Sequence, residues 1–256
     1  MASARLFSLF LRRSGPRAND LGKMTLPELV VAYATYPSII VYALLCLASA
    51  TAAVIMGALR TPLHALAAVA AAIAIYPFVE YLLHRFVLHG RWLYKNPLTA
   101  DLWKRIHYDH HQDPNRLDVL FGSLSNTLPT IVVIGLPVGW LIGGWPTAFT
   151  ALATAFVIMS VYEFCHCVQH LNYTPASAWL RRIKKHHMAH HFHNETGNFG
   201  ITSTFIDRIV GTYYEDQKTR PRSTHNYDLG YDQAEAQRYP WVAARSRPAP
   251  DAPGGR

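Results

Sequence analysis

Long charge-free segments dominate the hydrophobic pattern of this 256-residue chain. The first covers residues 37–59, and a Pro-containing break separates it from the second, residues 63–79. A third uncharged stretch covers residues 119–162, and a Gly-Gly-Trp-Pro turn at residues 143–146 divides it in two. A helix of about 20 apolar residues spans the ~30 Å hydrocarbon core of a bilayer. The pattern therefore predicts an all-α integral membrane protein with four transmembrane helices in two hairpins.

The distribution of Lys and Arg predicts the orientation of these helices. Of 24 such residues, only Arg60 lies in either hairpin turn; the others precede the first span, lie within residues 84–118, or follow Tyr162. Because positive residues flank spans on the cytosolic side, we expect both termini and the central segment in the cytosol. The net charge of +8 then indicates contact with anionic lipid headgroups and not with nucleic acid. Four buried helices of a soluble protein are the alternative, which the bilayer-matched lengths disfavour.

The chain divides into three predicted regions. Residues 1–36 form an N-terminal cytosolic or interfacial segment, whose apolar run at residues 6–11 is too short for a secretory signal. A transit peptide in a eukaryotic source is the alternative for this segment. Residues 37–225 form the membrane and metal-binding domain, and residues 226–256 are expected to be a polar, largely disordered tail. Three cysteines are too few for a disulfide framework. The alanine-rich spans and the lack of an obvious retrieval signal favour a bacterial inner membrane over the endoplasmic reticulum.

Fourteen histidines are the unusual feature of the composition, and thirteen lie between residues 64 and 193. Most fall in four clusters just beyond the second and fourth spans. On an α-helix, residues i, i+3 and i+4 share a face, so the members of each closely spaced cluster can converge. His84 and His89 are five residues apart, about 140° on an ideal helix, so this pair is suited to two different metal ions. The candidate ligands are His84, His89, His107, His110, His111, His166, His170, His187, His190 and His191.

Ten imidazoles are too many for one ion, whereas two ions with about five ligands each would use them all. Imidazole binds zinc, iron, copper and nickel alike, so the ligand type does not name the metal. A bound metal would keep the clustered rings neutral and remove their mutual repulsion. Unrelated solvated histidines are the alternative, which four separate clusters disfavour. All ten lie beyond span ends and not at the membrane midplane, where transporters hold their ligands. This depth suits a lipid whose head lies at the surface and whose tail lies in the bilayer.

The spacing H-x4-H, H-x2-H-H, H-x3-H, H-x2-H-H at two hairpin exits resembles the fatty acid hydroxylase / sterol desaturase superfamily, over roughly residues 80–213. The closing segment K-K-H-H-M-A-H-H-F-H, followed by N-F-G-I-T-S-T-F, is especially similar to fatty acid 2-hydroxylases that modify sphingolipid acyl chains. The resemblance implies that the ten histidines hold a dinuclear centre of two iron ions in a cytosolic helical cap, with zinc as the alternative occupant of a purified form. It also implies O2-dependent hydroxylation of a fatty-acyl chain.

Two features qualify this resemblance. After His111 the sequence Q-D-P-N-R-L-D lacks the Pro-Pro pair of the 2-hydroxylases, which leaves the 2-position open. The segment before residue 37 is too short for the fused cytochrome domain of some members, so an external electron donor is expected: a cytochrome or ferredoxin with an NAD(P)H reductase. A desaturase or C-4 methyl oxidase of the same superfamily remains an alternative. An intramembrane zinc hydrolase, which the absence of H-E-x-x-H disfavours, and a metal transporter are alternatives of another class.

Other polar residues near the clusters are candidate hydrogen-bond partners of ligand rings. The sequence does not assign the residues that bind substrate. We expect Cys165 and Cys167 to pack and not to ligate, and His225 to be solvated. The candidate hydrogen-bond partners are Glu80, Glu163, His186, His193 and Asp207, with Asp109 as a weaker candidate.

Overall fold

The structure is a computed structural model that describes residues 20–245. Within this range every regular element is a helix, apart from an isolated antiparallel bridge between Asp20 and Arg116. The predicted interfacial run at residues 6–11 lies outside the described residues. The helices are α1 Leu26–Ala34, α2 Pro37–Ile55, α3 Pro62–Leu82, α4 Ala100–Trp103, α5 Asp109–Gln112, α6 Leu117–Leu120, α7 Leu124–Gly143, α8 Trp145–His170, α9 Ala178–Phe192, α10 Phe205–Val210, α11 Gln233–Arg238 and α12 Trp241–Arg245.

Four helices are long and apolar enough to cross a membrane, which confirms the prediction of two hairpins. They are α2, α3, α7 and α8. Gly57 turns the chain between α2 and α3 with φ of 99°, and Gly144 does so between α7 and α8 with φ of 76°. Both angles lie in the left-handed region that glycine adopts without a steric penalty. The predicted break at residues 143–146 therefore rests on a single glycine between two helices.

Helix α8 lies at the centre of the bundle and packs against α2, α3 and α7. Its approach to α7 is close because Gly139 has no side chain: a Cβ there would lie 2.2 Å from the Thr147 carbonyl oxygen. Thr147 Oγ1 donates a hydrogen bond across this contact to the Gly139 carbonyl, at 2.8 Å. Small residues and interhelical hydrogen bonds are the usual means of helix association in membranes. These contacts fix the packing of α7 against α8 below the histidine clusters.

Residues 83–123 and 171–245, which we call the cap, cover one end of the bundle. Two stretches of π-helix, Leu83–Leu88 and Lys104–Tyr108, extend α3 and join α4 to α5. The C-terminal part of the cap includes α11 and α12, and it contributes Leu229, Tyr231 and Val242 to a buried cluster around Trp103. The prediction of a disordered tail from residue 226 is therefore wrong for residues 226–245. The segment is mainly polar and its few apolar residues are scattered, so its composition alone did not predict that it packs.

Candidate metal centre

The cap and the end of α8 bring all ten predicted ligands together. His84 lies in the π-helix after α3 and His89 directly follows it, and His166 and His170 come from the last turn and a half of α8. The second π-helix and α5 supply three more, and α9 supplies the last three. Nine of the ten are buried and His89 is half-buried. The rings thus face one another and not the solvent.

Five rings form a first group: His110, His166, His170, His187 and His191. Each contributes one ring nitrogen that lies within 4.8 Å of those of the others. The Nε2 atoms of His166 and His110 are 3.1 Å apart, and those of His170 and His187 are 2.9 Å apart. Three separate elements, α5, α8 and α9, therefore converge on one point.

Four rings form a second group: His84, His89, His107 and His190. His107 Nε2 lies 2.9 Å from His89 Nε2 and 3.1 Å from His84 Nε2. His111 Nε2 lies 3.0 Å from the same His107 atom, although His111 also stacks on His191 of the first group. The tenth ring thus lies at the edge of the second group and against the first.

The π-helix after α3 explains how His84 and His89 serve one group. The His89 N–H donates to the His84 carbonyl at 3.0 Å, which is the i→i+5 bond of a π-turn. Such a turn brings residues five apart onto one face, as an α-turn does for residues four apart. The expectation that this pair serves two different ions is therefore wrong, because it assumed α-helical geometry.

The closely spaced clusters do not converge as units either. His187 and His191 join the first group, whereas His190 joins the second. Residues 190 and 191 project about 100° apart on α9, so the helix presents one ring to each group. The same division separates His107 from His110. Each of these segments therefore supplies ligands to both neighbouring groups, from two different faces.

Backbone carbonyls fix the proton positions of three rings. His111 Nδ1 donates to the Asn226 carbonyl at 2.7 Å, and His190 Nδ1 to the Gly197 carbonyl at 2.8 Å. His84 Nδ1 donates to the Phe199 carbonyl. Because a carbonyl only accepts, the proton lies on Nδ1 and a lone pair remains on Nε2 of each ring. These lone pairs point into the second group.

The donor set fits metal ions. His107 Nε2 faces the lone pairs of His84 and His111 and can donate a proton to only one of them. A cation among these atoms would satisfy every lone pair. Two nitrogens bound at about 2.1 Å and at right angles lie roughly 3.0 Å apart, and the observed separations are 2.9–3.1 Å. Within each group, the ring nitrogens are thus spaced like neighbouring ligands of a single metal ion.

Burial keeps the cap histidines in the neutral form that binds metal. Loss of hydration lowers the pKa of His190 from 6.5 to about 4. The same cause, followed by repulsion from neighbouring rings, lowers the pKa of His107, His110, His187 and His191 well below the usual value. The rings are therefore unprotonated near neutral pH, as metal ligation requires.

Glu80 and Asp207 act on a loop and not on ligand rings, contrary to expectation. Asp207 accepts hydrogen bonds from the N–H groups of Phe199, at 2.9 Å, and Gly200, at 2.7 Å. Glu80 accepts from the N–H groups of Ile201 and Thr202 and from the Thr202 hydroxyl. The two carboxylates thus hold residues 199–202 from opposite sides, and the Phe199 carbonyl in this loop orients His84.

The other candidate partners also contact groups other than ligand rings in the described part of the chain. Glu163 accepts from the Gly122 N–H at 2.9 Å. His186 Nε2 lies 3.3 Å from the Tyr213 hydroxyl, and His193 Nε2 lies 2.9 Å from the Arg220 carbonyl. Asp109 pairs with Lys104.

His225, expected to be solvated, is partly exposed and pairs with Asp228 at 2.9 Å. These residues shape the cap around the two groups, and Cys165 and Cys167 are buried outside both groups.

A cavity of about 470 Å³ extends from the histidines into the bundle. Helices α3, α7 and α8 line it, and its wall away from the cap is apolar, with Ala72, Ile134, Val138 and Ala155. At the cap end the wall includes His84 and His107 of the second group and His110 and His166 of the first. An apolar chain in this cavity would therefore reach both groups.

The profile of the fatty acid hydroxylase family matches residues 69–212. This chain belongs to the fatty acid hydroxylase family. The matched stretch contains all ten clustered histidines, most of α3 and the whole α7–α8 hairpin. The resemblance inferred from histidine spacing is thereby confirmed.

Several hydroxylases are similar to this family member. The "Ceramide very long chain fatty acid hydroxylase SCS7" of Saccharomyces cerevisiae is 31% identical over 54% of this chain and 36% of its own length. The "Dihydroceramide fatty acyl 2-hydroxylase FAH1" of Arabidopsis thaliana is 31% identical over 55% of this chain and 57% of its own length. The chain thus spans less than two thirds of these relatives. The solved structure "Full length scs7p (only hydroxylase domain visible)" matches with a TM-score of 0.56 at 23% identity, over 80% of this chain and 71% of that one, which shows a shared fold.

Sequence reasoning did not find every residue that shapes the two histidine groups of this family member. The carbonyls of Gly197, Phe199 and Asn226 orient three rings, and a backbone carbonyl leaves no trace in residue type. Asn226 lies in the segment expected to be disordered. The glycine at position 200 was the one visible sign of this loop in the sequence. The structure shows why a glycine is needed there: a Cβ would lie 1.8 Å from the Ser203 carbonyl oxygen. A required glycine beside a histidine cluster marks a loop that must pack tightly.

Proposed function

We propose that this protein is a membrane-bound, O2-dependent lipid hydroxylase in which the ten clustered histidines hold two iron ions. The observation that carries the proposal is the cavity wall: histidines of both groups line one end of an apolar cavity within the membrane-capable bundle. A fatty-acyl chain has the shape and polarity of that cavity. Its C–H bonds would then lie beside the metal centre.

The reaction converts a C–H bond and O2, with two electrons and two protons, into C–OH and water. Bound iron would supply the activation of O2, which side chains cannot perform. The histidines, in their neutral form, would hold the ions, and the Phe199, Gly197 and Asn226 carbonyls keep the rings aligned. The apolar cavity fixes the acyl chain and excludes bulk water. A separate cytochrome or ferredoxin with an NAD(P)H reductase would supply the electrons.

The substrate in this proposal is the fatty-acyl group of a sphingolipid or another membrane lipid, and the 2-position is the first carbon to examine. Two relatives, which are named as hydroxylases of ceramide or dihydroceramide fatty acyl groups, support this class. The cavity lies between helices that would contact the bilayer, so the chain would enter sideways from the membrane. We place the cap and both termini in the cytosol, and a bacterial inner membrane stays our preferred location.

The test begins with anaerobic purification in detergent and a count of iron and zinc per chain. The protein then receives O2, a reduced ferredoxin system and total membrane lipids, and the products are weighed by mass spectrometry. We expect two irons per chain and an O2-dependent lipid gain of 16 Da. Loss of 2 Da would identify a desaturase. Hydrolysis by a zinc form, or metal flux without a lipid product, would overturn the proposal.

A further inference from the structure

Two carboxyl groups line the cavity, and only one of them is fully hydrogen-bonded. Both oxygens of Glu80 accept hydrogen bonds from the loop at residues 201–202. Glu163 Oε1 accepts from the Gly122 N–H at 2.9 Å. Glu163 Oε2 is buried and has no hydrogen-bond partner within residues 20–245. A buried polar atom without a hydrogen-bond partner is costly, and Glu163 belongs to the cavity wall, so the unpartnered oxygen points to a ligand.

The hydroxyl groups beside Glu163 do not need it as a partner. Tyr42 and Thr127 share a hydrogen bond of 2.6 Å, and Ser123 and Ser125 share one of 2.8 Å. Thr130 donates to the Asn126 carbonyl at 2.9 Å. These hydroxyl groups are thus paired with one another or with backbone, and Glu163 Oε2 remains available to a ligand.

The surroundings of Glu163 select the chemistry of the ligand. The side chain is 0% exposed and makes no ion pair in the described part of the chain. A buried carboxyl that accepts a single hydrogen bond and makes no ion pair favours its neutral form, so Oε1 accepts from Gly122 and the Oε2 hydroxyl is a donor. A donor in an apolar cavity needs an acceptor, and the acceptor of an acyl lipid is its carbonyl oxygen.

The position of Glu163 relates that carbonyl to the metal centre. Glu163 precedes His166 by three residues, so the two side chains lie on one face of α8 with a rise of about 4.5 Å. Both line the cavity. A carbonyl held at Glu163 would therefore bring the carbons next to it, and not the far end of the chain, to the histidine groups.

We propose that Glu163 binds the acyl carbonyl of the lipid substrate through its Oε2 hydroxyl and so sets which carbon meets the metal centre. The proposal rests on the proposed function only in that a lipid chain occupies the cavity. Glu163 is then a binding residue that determines regiochemistry, and the apolar wall at Ile134, Val138 and Ala155 receives the tail.

The test measures binding and needs no turnover. Methyl octadecanoate and octadecyl methyl ether are neutral probes that differ in the carbonyl, and their affinities follow from ligand-induced shifts in the unfolding temperature. For the wild-type protein we expect the ester to bind about 10-fold more tightly, as one hydrogen bond implies. Glu163→Gln keeps an N–H donor and should keep this preference. Glu163→Met has a similar volume without a donor and should abolish it.

Several outcomes would overturn the assignment. Equal affinity of the wild-type protein for ester and ether would do so alone, even where Glu163→Met does not fold. A preference that survives in folded Glu163→Met would show that another group binds the carbonyl. Stabilisation by neither probe would instead count against a lipid in the cavity, and hence against the proposed function. In active preparations, wild-type hydroxylation far from the carbonyl would also overturn the role of Glu163.

Discussion

The proton on each ring decides whether a clustered histidine can bind metal. A carbonyl at Nδ1 places the lone pair of His84, His111 and His190 at Nε2, where it faces other histidines. Without a cation, such facing lone pairs repel in a buried site. The same contacts that favour metal therefore make the metal-free cap less stable, so metal binding and cap folding are coupled.

His110→Ala tests the first group at the scale of one residue. It removes a ring whose Nε2 lies 3.1 Å from that of His166, so we expect loss of about one of two ions per chain and loss of turnover. Elemental analysis of the purified protein measures the metal. His225→Ala is the matched control, because His225 pairs with Asp228 away from both groups. Full metal content and turnover in His110→Ala would contradict the assignment of this ligand.

The residue types at the centre were predictable, but their division between groups was not. Spacing identified all ten rings, since histidine clusters beyond spans are rare without a metal. Spacing could not assign His190 and His191 to different groups, because that division depends on how α9 crosses α5 and α8. It also could not show that Glu80 and Asp207 bind a loop. Such carboxylates look the same in sequence whether they accept from a ring or from backbone.

At the scale of elements, the π-helix after α3 and the C-terminal segment depart most from the sequence prediction. The charge-free segments predicted the four long helices, because bilayer thickness sets the length that a span needs, but α8 continues eight residues past the predicted end at residue 162. No comparable rule predicts a π-turn, because tertiary contacts decide whether a helix turn takes up the one extra residue. The packing of residues 226–245 likewise depends on partners near Trp103 that lie more than a hundred positions earlier.

Tyr231→Ala tests whether the C-terminal segment stabilises the cap. Tyr231 is 5% exposed, contacts the rings of Tyr94 and Trp103, and donates to the Tyr239 carbonyl at 2.6 Å. Removing a buried aromatic ring costs about 3–5 kcal/mol, so we expect a clearly lower unfolding temperature in detergent, measured by circular dichroism. Tyr227→Ala is the control, because Tyr227 is 56% exposed. Equal unfolding temperatures for the two variants would show that residues 226–245 do not pack as described.

For the whole molecule, the buried histidines predict how stability depends on pH. The pKa of His190 is about 4 in the folded protein and 6.5 without burial. Between these values the unfolded chain binds a proton that the folded chain does not, so the free energy of unfolding falls as pH falls. We expect the unfolding temperature of metal-free protein to decrease from about pH 6.5 towards pH 4. His190→Gln should reduce this slope. An unfolding temperature that is constant or rises on acidification would contradict the burial of these rings.

The orientation of the bundle in the membrane is predicted from charge and can be tested with single cysteines. Arg60 lies in the turn between α2 and α3, and Lys185 lies on α9 in the cap, and both are exposed. Because positively charged residues concentrate on the cytosolic side of membrane proteins, we expect the cap, with its many Lys and Arg side chains, in the cytosol and the turn at Arg60 on the opposite face of the membrane. In intact spheroplasts, Arg60→Cys should react with a membrane-impermeant maleimide, whereas Lys185→Cys should react only after permeabilisation. Cys165 and Cys167 are buried, and the unsubstituted protein measures the background. The reverse labelling pattern would place the histidine groups outside the cytosol, where cytosolic electron donors could not reach them.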